Sequence, residues 1–200
     1  MDPSAAQTPA PQDPASPPPV PTPAVSQPAE DDARAFAAVE KHHAGMLKRL
    51  DALVSALTHA VQAHDTVAEH DAHEVLVEWC ETELVPHALA EEGPLYGGAG
   101  GTPEGRLLVA GMLSEHQVIV GLVERLRAAH GVEAAVAAGA IGQIFALHLQ
   151  KENGLLMPFI MDSPGLSLAD AVAGLHELVG EAHVHGLHDR TVPDVPPANG

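Results

Sequence analysis

The chain has 200 residues, with 9 Lys and Arg against 27 Asp and Glu for a formal net charge of −18, and its aromatic rings are three Phe, one Trp and one Tyr. An acidic balance of that size repels phosphate, so general nucleic-acid binding is not expected and anionic membrane surfaces are disfavoured. Histidine is in excess, at 14 residues, and it is the commonest metal-ligating side chain.

The chain opens Met1-Asp2-Pro3 with neither a basic nor an apolar run, so no signal peptide is expected. Residues 1–30 hold ten of the 18 prolines, separated by Ala, Gln, Ser and Thr. Such a segment cannot bury enough apolar surface to offset its chain entropy and reads as a disordered Pro-rich tail, as do residues 189–200. Between the tails the length suits one domain, residues 31–162, followed by a short helix within 163–188.

Apolar residues spaced three and four apart argue for helices throughout. The first is predicted from near Glu30 to His64, with Phe36, Val39, His43, Met46, Leu47, Leu50 and Val54 on one stripe. The second runs from about Thr66 to Glu92 on Leu76, Cys80, Leu84, His87 and Glu91; Gly93-Pro94 and the glycine-rich 97–101 then form a loop. Pro86 inside it should kink the helix just before His87. Thr102 and Pro103 are suited to start a third helix with Val109, Met112, His116, Ile119, Val123 and Leu126 inward. After a break at Gly131, a fourth reaches about Phe159 on Ile141, Ile144, Phe145, His148, Glu152, Leu155 and Phe159. Ser167 can cap the fifth, to about His185. The fold class is all-α, an antiparallel up-down four-helix bundle with an additional C-terminal helix and disordered termini. No membrane-spanning helix is expected, because the least charged stretch, 134–150, is rich in Ala and Gly and interrupted by Gln143 and His148. The single cysteine, Cys80, cannot form an intramolecular disulfide and suits a reducing, cytoplasmic setting.

His87 with Glu91 and His148 with Glu152 each form H-x-x-x-E, which puts an imidazole and a carboxylate one turn apart on a helix face. A third copy, His70 with Glu74, lies among polar residues and reads as a solvated face. The first two also share Gly and Leu at matching offsets: Gly93 and Leu95 correspond to Gly154 and Leu156. His43 and His116 extend the repeat, each followed by apolar residues three, seven and ten positions on. Each half is therefore a helix carrying His followed by a helix carrying H-x-x-x-E. Two such hairpins aim four imidazoles and two carboxylates at one point, a donor set that suits iron, manganese or zinc. The alternative is four core histidines satisfied by hydrogen bonds, which would leave two buried glutamates as unpaired charges.

The ordered series His43, His87-x-x-x-Glu91, His116, His148-x-x-x-Glu152, over about residues 34–160, resembles the hemerythrin-like family of HHE cation-binding bundles. The resemblance implies two iron ions, oxo- or hydroxo-bridged, with Glu91 and Glu152 as bridging carboxylates and His43, His87, His116 and His148 as terminal ligands. It also implies O2, peroxide or NO as small partners at an open iron position. The family's oxygen carriers have a second histidine where this chain has Val120, and an aspartate five residues after the last histidine rather than Glu152 at four. One imidazole fewer favours redox, sensing or peroxide chemistry over reversible carriage.

Three functions follow: a di-iron protein that binds or senses a small oxidant, a di-iron enzyme that dismutates peroxide or acts as an oxidase, and a metal-free helical interaction module. Tyr96, the only tyrosine, either reaches the metal or a bridging oxygen, or packs at the bundle end with its hydroxyl in water. His42 is the alternate to His43, and the stripe comparison selects His43. Glu92 faces solvent or backs a ligand, and Cys80 reads as core. His59, His64, His73 and His130 are assigned to helix ends or polar faces, and His176, His183, His185 and His188 to a polar helix end.

Overall fold

A computed structural model describes residues 27–174. The Pro-rich segment before Gln27, the histidines of the C-terminal stretch and the final tail lie outside the described residues. Those described are helical with short connections: α1 (Gln27–Ala63), α2 (Thr66–Trp79), α3 (Val85–Glu91), α4 (Pro94–Gly100), α5 (Arg106–Ala128), α6 (Gly131–Lys151), α7 (Met157–Asp162) and α8 (168–174). Long helices α1, α2, α5 and α6 form the bundle, with α1 packed along α2 and α6, and α5 along α6.

Two runs of helix are continuous through a single π-helical turn, Cys80–Leu84 between α2 and α3, and Glu152–Leu156 between α6 and α7. Each turn is followed two residues later by proline, Pro86 or Pro158. Proline has no N–H to donate and its ring crowds the carbonyl four residues back. The wider turn, in which Val85 N–H bonds the Cys80 carbonyl and Met157 N–H the Glu152 carbonyl, removes the demand on that geometry. The strain behind the kink expected at Pro86 is thus taken up as one extra residue in a turn. At Glu152–Leu156 the extra residue advances the buried stripe by one position: Leu155, expected inward, is exposed, while Leu156, Met157 and Ile160 are buried.

The glycine-rich 97–101 stretch, expected as a loop, is mostly the helix α4. Pro94 opens it, Leu95, Tyr96 and Ala99 are buried against the core, and the glycines let it sit close: a Cβ at Gly98 would lie 3.0 Å from Leu166. Tertiary packing here outweighs the poor helix propensity of glycine. Thr102 does not cap α5, which starts at Arg106. Its hydroxyl instead donates to the Ala99 carbonyl and accepts from Gly105 N–H, tying the end of α4 to the start of α5. A Cβ at Gly105 would lie 2.4 Å from the Ala99 carbonyl oxygen. Gly105→Ala is therefore expected to destabilise by about 1–3 kcal/mol, the usual cost of forced overpacking, measured by urea unfolding. An unchanged midpoint would mean that this corner relaxes freely.

At the other end Ser167 caps α8 as expected, accepting from Asp170 N–H. Asp32, buried on α1, accepts from Ser167 Oγ and Ala169 N–H and pins α8 to the bundle.

Two apolar clusters make the core. One contains Met46, Leu50, Leu57, Leu76, Leu84, Ile119, Leu126, Ile141 and Phe145, the other Val39, Leu95, Tyr96, Met112, Leu156, Met157 and Ile160. The helical runs of α1, α5 and α6–α7 each cross from one cluster to the other, as α2–α3 does by way of α4, and at each crossing the buried residues are polar: His43 on α1, His87 and Glu91 on α3, His116 on α5, His148 on α6 and Glu152 at the start of the π-helical turn that follows it. By length and composition α5 and the run Gly131–Asp162 are apolar enough to cross a bilayer, against the sequence expectation. Their inward faces, however, hold His116, His148 and Glu152 in this polar layer.

Candidate metal centre

None of the six residues in the polar layer is more than 8% exposed. Burying four imidazoles and two carboxylates in an apolar core is costly unless each finds a partner.

They converge as two overlapping groups. His43, His87 and Glu91 each bring one donor atom within 4.8 Å of the others, and so do Glu91, His116 and His148, with Glu91 common to both. Glu91 Oε1 lies 3.4 Å from His43 Nε2 and 3.3 Å from His87 Nε2. Glu152 also spans the groups, with Oε2 3.7 Å from His43 Nε2 and Oε1 3.5 Å from His148 Nε2. His116 Nε2 and His148 Nε2 are 3.1 Å apart. The Tyr96 hydroxyl lies 3.3 Å from His116 Nε2 and 3.0 Å from His148 Nε2, and donates to Glu152 Oε1 at 2.5 Å.

Three of the imidazoles have a side-chain partner at the outer nitrogen. His43 Nδ1 is 2.7 Å from Asn153 Oδ1, His116 Nδ1 is 3.0 Å from Glu92 Oε1, and His148 Nδ1 is 3.1 Å from Glu115 Oε2. Lys151 donates to the other oxygen of Glu115. An acceptor at Nδ1 fixes the proton there and turns the Nε2 lone pair toward the centre.

The electrostatics are those of a crowded, dehydrated pocket. Burial, with the neighbouring imidazoles, pushes His87 down to about 3, and burial lowers His43 and His116. These rings are neutral at pH 7 and available as ligands. Burial and the adjacent Glu152 carboxylate raise Glu91 well above the usual carboxylate range. Burial also opposes ionisation of Glu152, but its contacts with His148 outweigh this and hold it at about 2. His148 is raised: burial works against its charge, and the hydrogen bonds and charges of Glu152 and Glu115 prevail. The phenol of Tyr96 is raised by burial and by Glu152, and so keeps its proton.

Three features fit this centre to cations. His87 Nε2, Glu91 Oε2 and Glu152 Oε2 are buried with no hydrogen-bond partner. Two Nε2 atoms whose outer nitrogens face carboxylates meet at 3.1 Å, a contact that needs a proton or a cation between lone pairs. Donor separations of 3.0 to 3.7 Å are also those of neighbouring ligands around one ion with bonds of about 2.1 Å.

The six residues picked out in the sequence are thus brought together. His42 is exposed on the outer side, its ring 5.2 Å from that of His87. The reading of Tyr96 with its hydroxyl in water is overturned, because the residue is 1% exposed. Glu92 is partly exposed and backs His116. Cys80 is core, its thiol pushed up to about 12 by burial. His70 and Glu74 pair at 3.4 Å in solvent. His73, expected on a polar face, is buried with Nε2 2.7 Å from the Leu126 carbonyl oxygen. Sequence reasoning missed Glu115 and Asn153; the only signal was adjacency, Glu115 before His116 and Asn153 after Glu152.

The family model described as Hemerythrin HHE cation binding domain matches residues 34–185. No curated protein and no solved structure matches the chain.

Proposed function

This chain belongs to the hemerythrin family of HHE cation-binding domains, and from that premise we propose that it is a two-iron protein that binds or senses O2 or a related small oxidant such as peroxide or NO. The observation that carries the reading is the sharing of Glu91 by two donor groups, each with two further imidazoles. His43 and His87 would hold one ion, His116 and His148 the other, with Glu91 and Glu152 reaching both. We read the long helices as an up-down antiparallel bundle, since they cross the two apolar clusters in alternating order.

An iron pair supplies, when bound, redox equivalents and open coordination positions. The protein supplies the rest. Leu84, Phe145, Met112 and Leu156 flank the polar layer in the two clusters and exclude water. Asn153, Glu92 and Glu115 orient three rings. Tyr96 Oη holds a proton against Glu152 Oε1, where a small oxidant arriving between the carboxylates would meet it. Tyr96 would stand beside the His116 and His148 position with that protonated oxygen, on the side where Val120 provides no imidazole. Manganese and zinc fit the same N/O set.

That proton also favours a second reading, an enzyme that consumes peroxide. The two are separated by mixing iron-loaded protein with O2 and with hydrogen peroxide. Binding or sensing predicts a spectral change reversed on removing O2, without turnover. An enzyme predicts sustained peroxide loss that is absent in His148→Ala. Tyr96→Phe, which removes that proton, is expected to retain both ions and to slow any peroxide loss by the loaded protein. Peroxide loss at the wild-type rate would remove Tyr96 from the chemistry. Protein that takes up no metal would favour the interaction module.

A further inference from the structure

The two halves of the centre differ in what stands behind them. His116 and His148 are each backed by a carboxylate, Glu92 and Glu115, and Tyr96 covers this side, its ring stacked on His116 with centroids 5.4 Å apart. Lys151 anchors Glu115 and offsets part of its charge. His43 is backed by the neutral amide of Asn153. His87, the most exposed of the six at 8%, lies against the ring of His42.

Beyond His42 a groove of about 510 Å³ opens between α1 and the end of α2, lined by His42, Lys41, Arg49, Trp79 and Glu83 among others. In a chain with only 9 Lys and Arg, two of them line the groove on this side.

We propose that the two cation positions are unequal: the His116–His148 position holds its ion tightly, and the His43–His87 position is the one that exchanges, through the groove beside His42. This rests on the two-ion reading above. A carboxylate behind a ligating imidazole makes the ring more basic and adds negative charge near the ion, while an amide adds none. Lys41 and Arg49, only partly balanced by Glu83, act in the opposite sense on the nearer position, where their positive charge weakens the hold on a cation. Access adds a kinetic difference, because Tyr96 and the Leu95–Met112–Leu156 cluster cover one side, while on the other the groove reaches His42, whose ring lies against His87.

Zinc is a suitable probe because it undergoes no redox change. Full-length protein loaded with Zn²⁺ is challenged with EDTA, and zinc per chain is followed by elemental analysis. Two phases of about one ion each are expected, at least about 10-fold apart in rate. In the Glu92→Gln/Glu115→Gln double variant, which keeps side-chain size and a hydrogen-bonding group, the slow phase should accelerate by about 10- to 100-fold toward the fast one. Asn153→Ala should leave the slow phase unchanged. His87→Ala should retain one slowly released zinc, and His116→Ala only a rapidly released one. Single-phase loss of two zinc ions from the wild type, or a slow phase indifferent to both Gln substitutions, would overturn the inequality and leave the two-ion reading standing. A wild type that binds no zinc and no iron would overturn the two-ion reading itself.

Discussion

Glu91→Ala is expected to lower the metal content of the protein from the proposed two ions per chain to below one. Glu91 belongs to both donor groups, so its removal takes a ligand from each position at once. The loss is not confined to one bond per ion. Each position would retain two imidazoles and a share of Glu152, and the carboxylate charge that offsets two adjacent cations would be halved. Glu74→Ala is the control, since the His70–Glu74 pair has the same spacing but is exposed, and it should leave metal content unchanged. Elemental analysis of the two variants, with circular dichroism to show that both remain helical, decides the point. Full occupancy in Glu91→Ala would mean that the ions sit elsewhere.

Metal removal carries the second large effect. Without cations the centre keeps three unpartnered buried atoms, His87 Nε2, Glu91 Oε2 and Glu152 Oε2, and two carboxylates near each other, of which Glu91 is driven to stay protonated. A ligand that binds only the folded state adds about 4 kcal/mol at a free concentration near 1,000 times its Kd. For a domain of this size about 1 kcal/mol corresponds to roughly 2–4 °C, so chelation should lower the unfolding temperature by about 10 °C. Glu91→Gln sharpens the comparison. Lacking metal, it should unfold no lower than metal-free wild type, because a neutral amide replaces a carboxyl that burial already penalises, yet it should gain little from added iron. Identical melting with and without metal in the wild type would contradict the account.

Much of this was legible in the sequence because the inward stripes of α1 and α5 have simple helical periodicity: Val39, His43, Met46 and Leu50, then Val109, Met112, His116, Ile119, Val123 and Leu126, are buried. The ligand series was legible for the same reason, since i,i+4 spacing survives wherever the helix stays regular. Where it does not, periodicity misleads by one residue. Helical spacing predicts Leu155 inward, and Leu156 is buried instead, because the π-helical turn at Glu152–Leu156 adds a residue that no local composition signals. The same widened turn includes Asn153, which reaches His43.

The glycine run before Gly101 reads as loop until Leu95, Tyr96 and Ala99 are seen packed as a helix, and that helix is what carries the Tyr96 hydroxyl inward. Asp32 and Glu115 act across more than 30 residues of sequence, on Ala169 and His148. Their side chains resemble any other surface acid until the helices are assembled.

The most direct test is the iron content of wild-type protein produced in iron-supplied medium. Two iron ions per chain are predicted, falling below one in Glu91→Ala and in Glu152→Ala. Fewer than one ion per chain in the wild type, or a content that neither substitution changes, would contradict a metal centre built on Glu91 and Glu152.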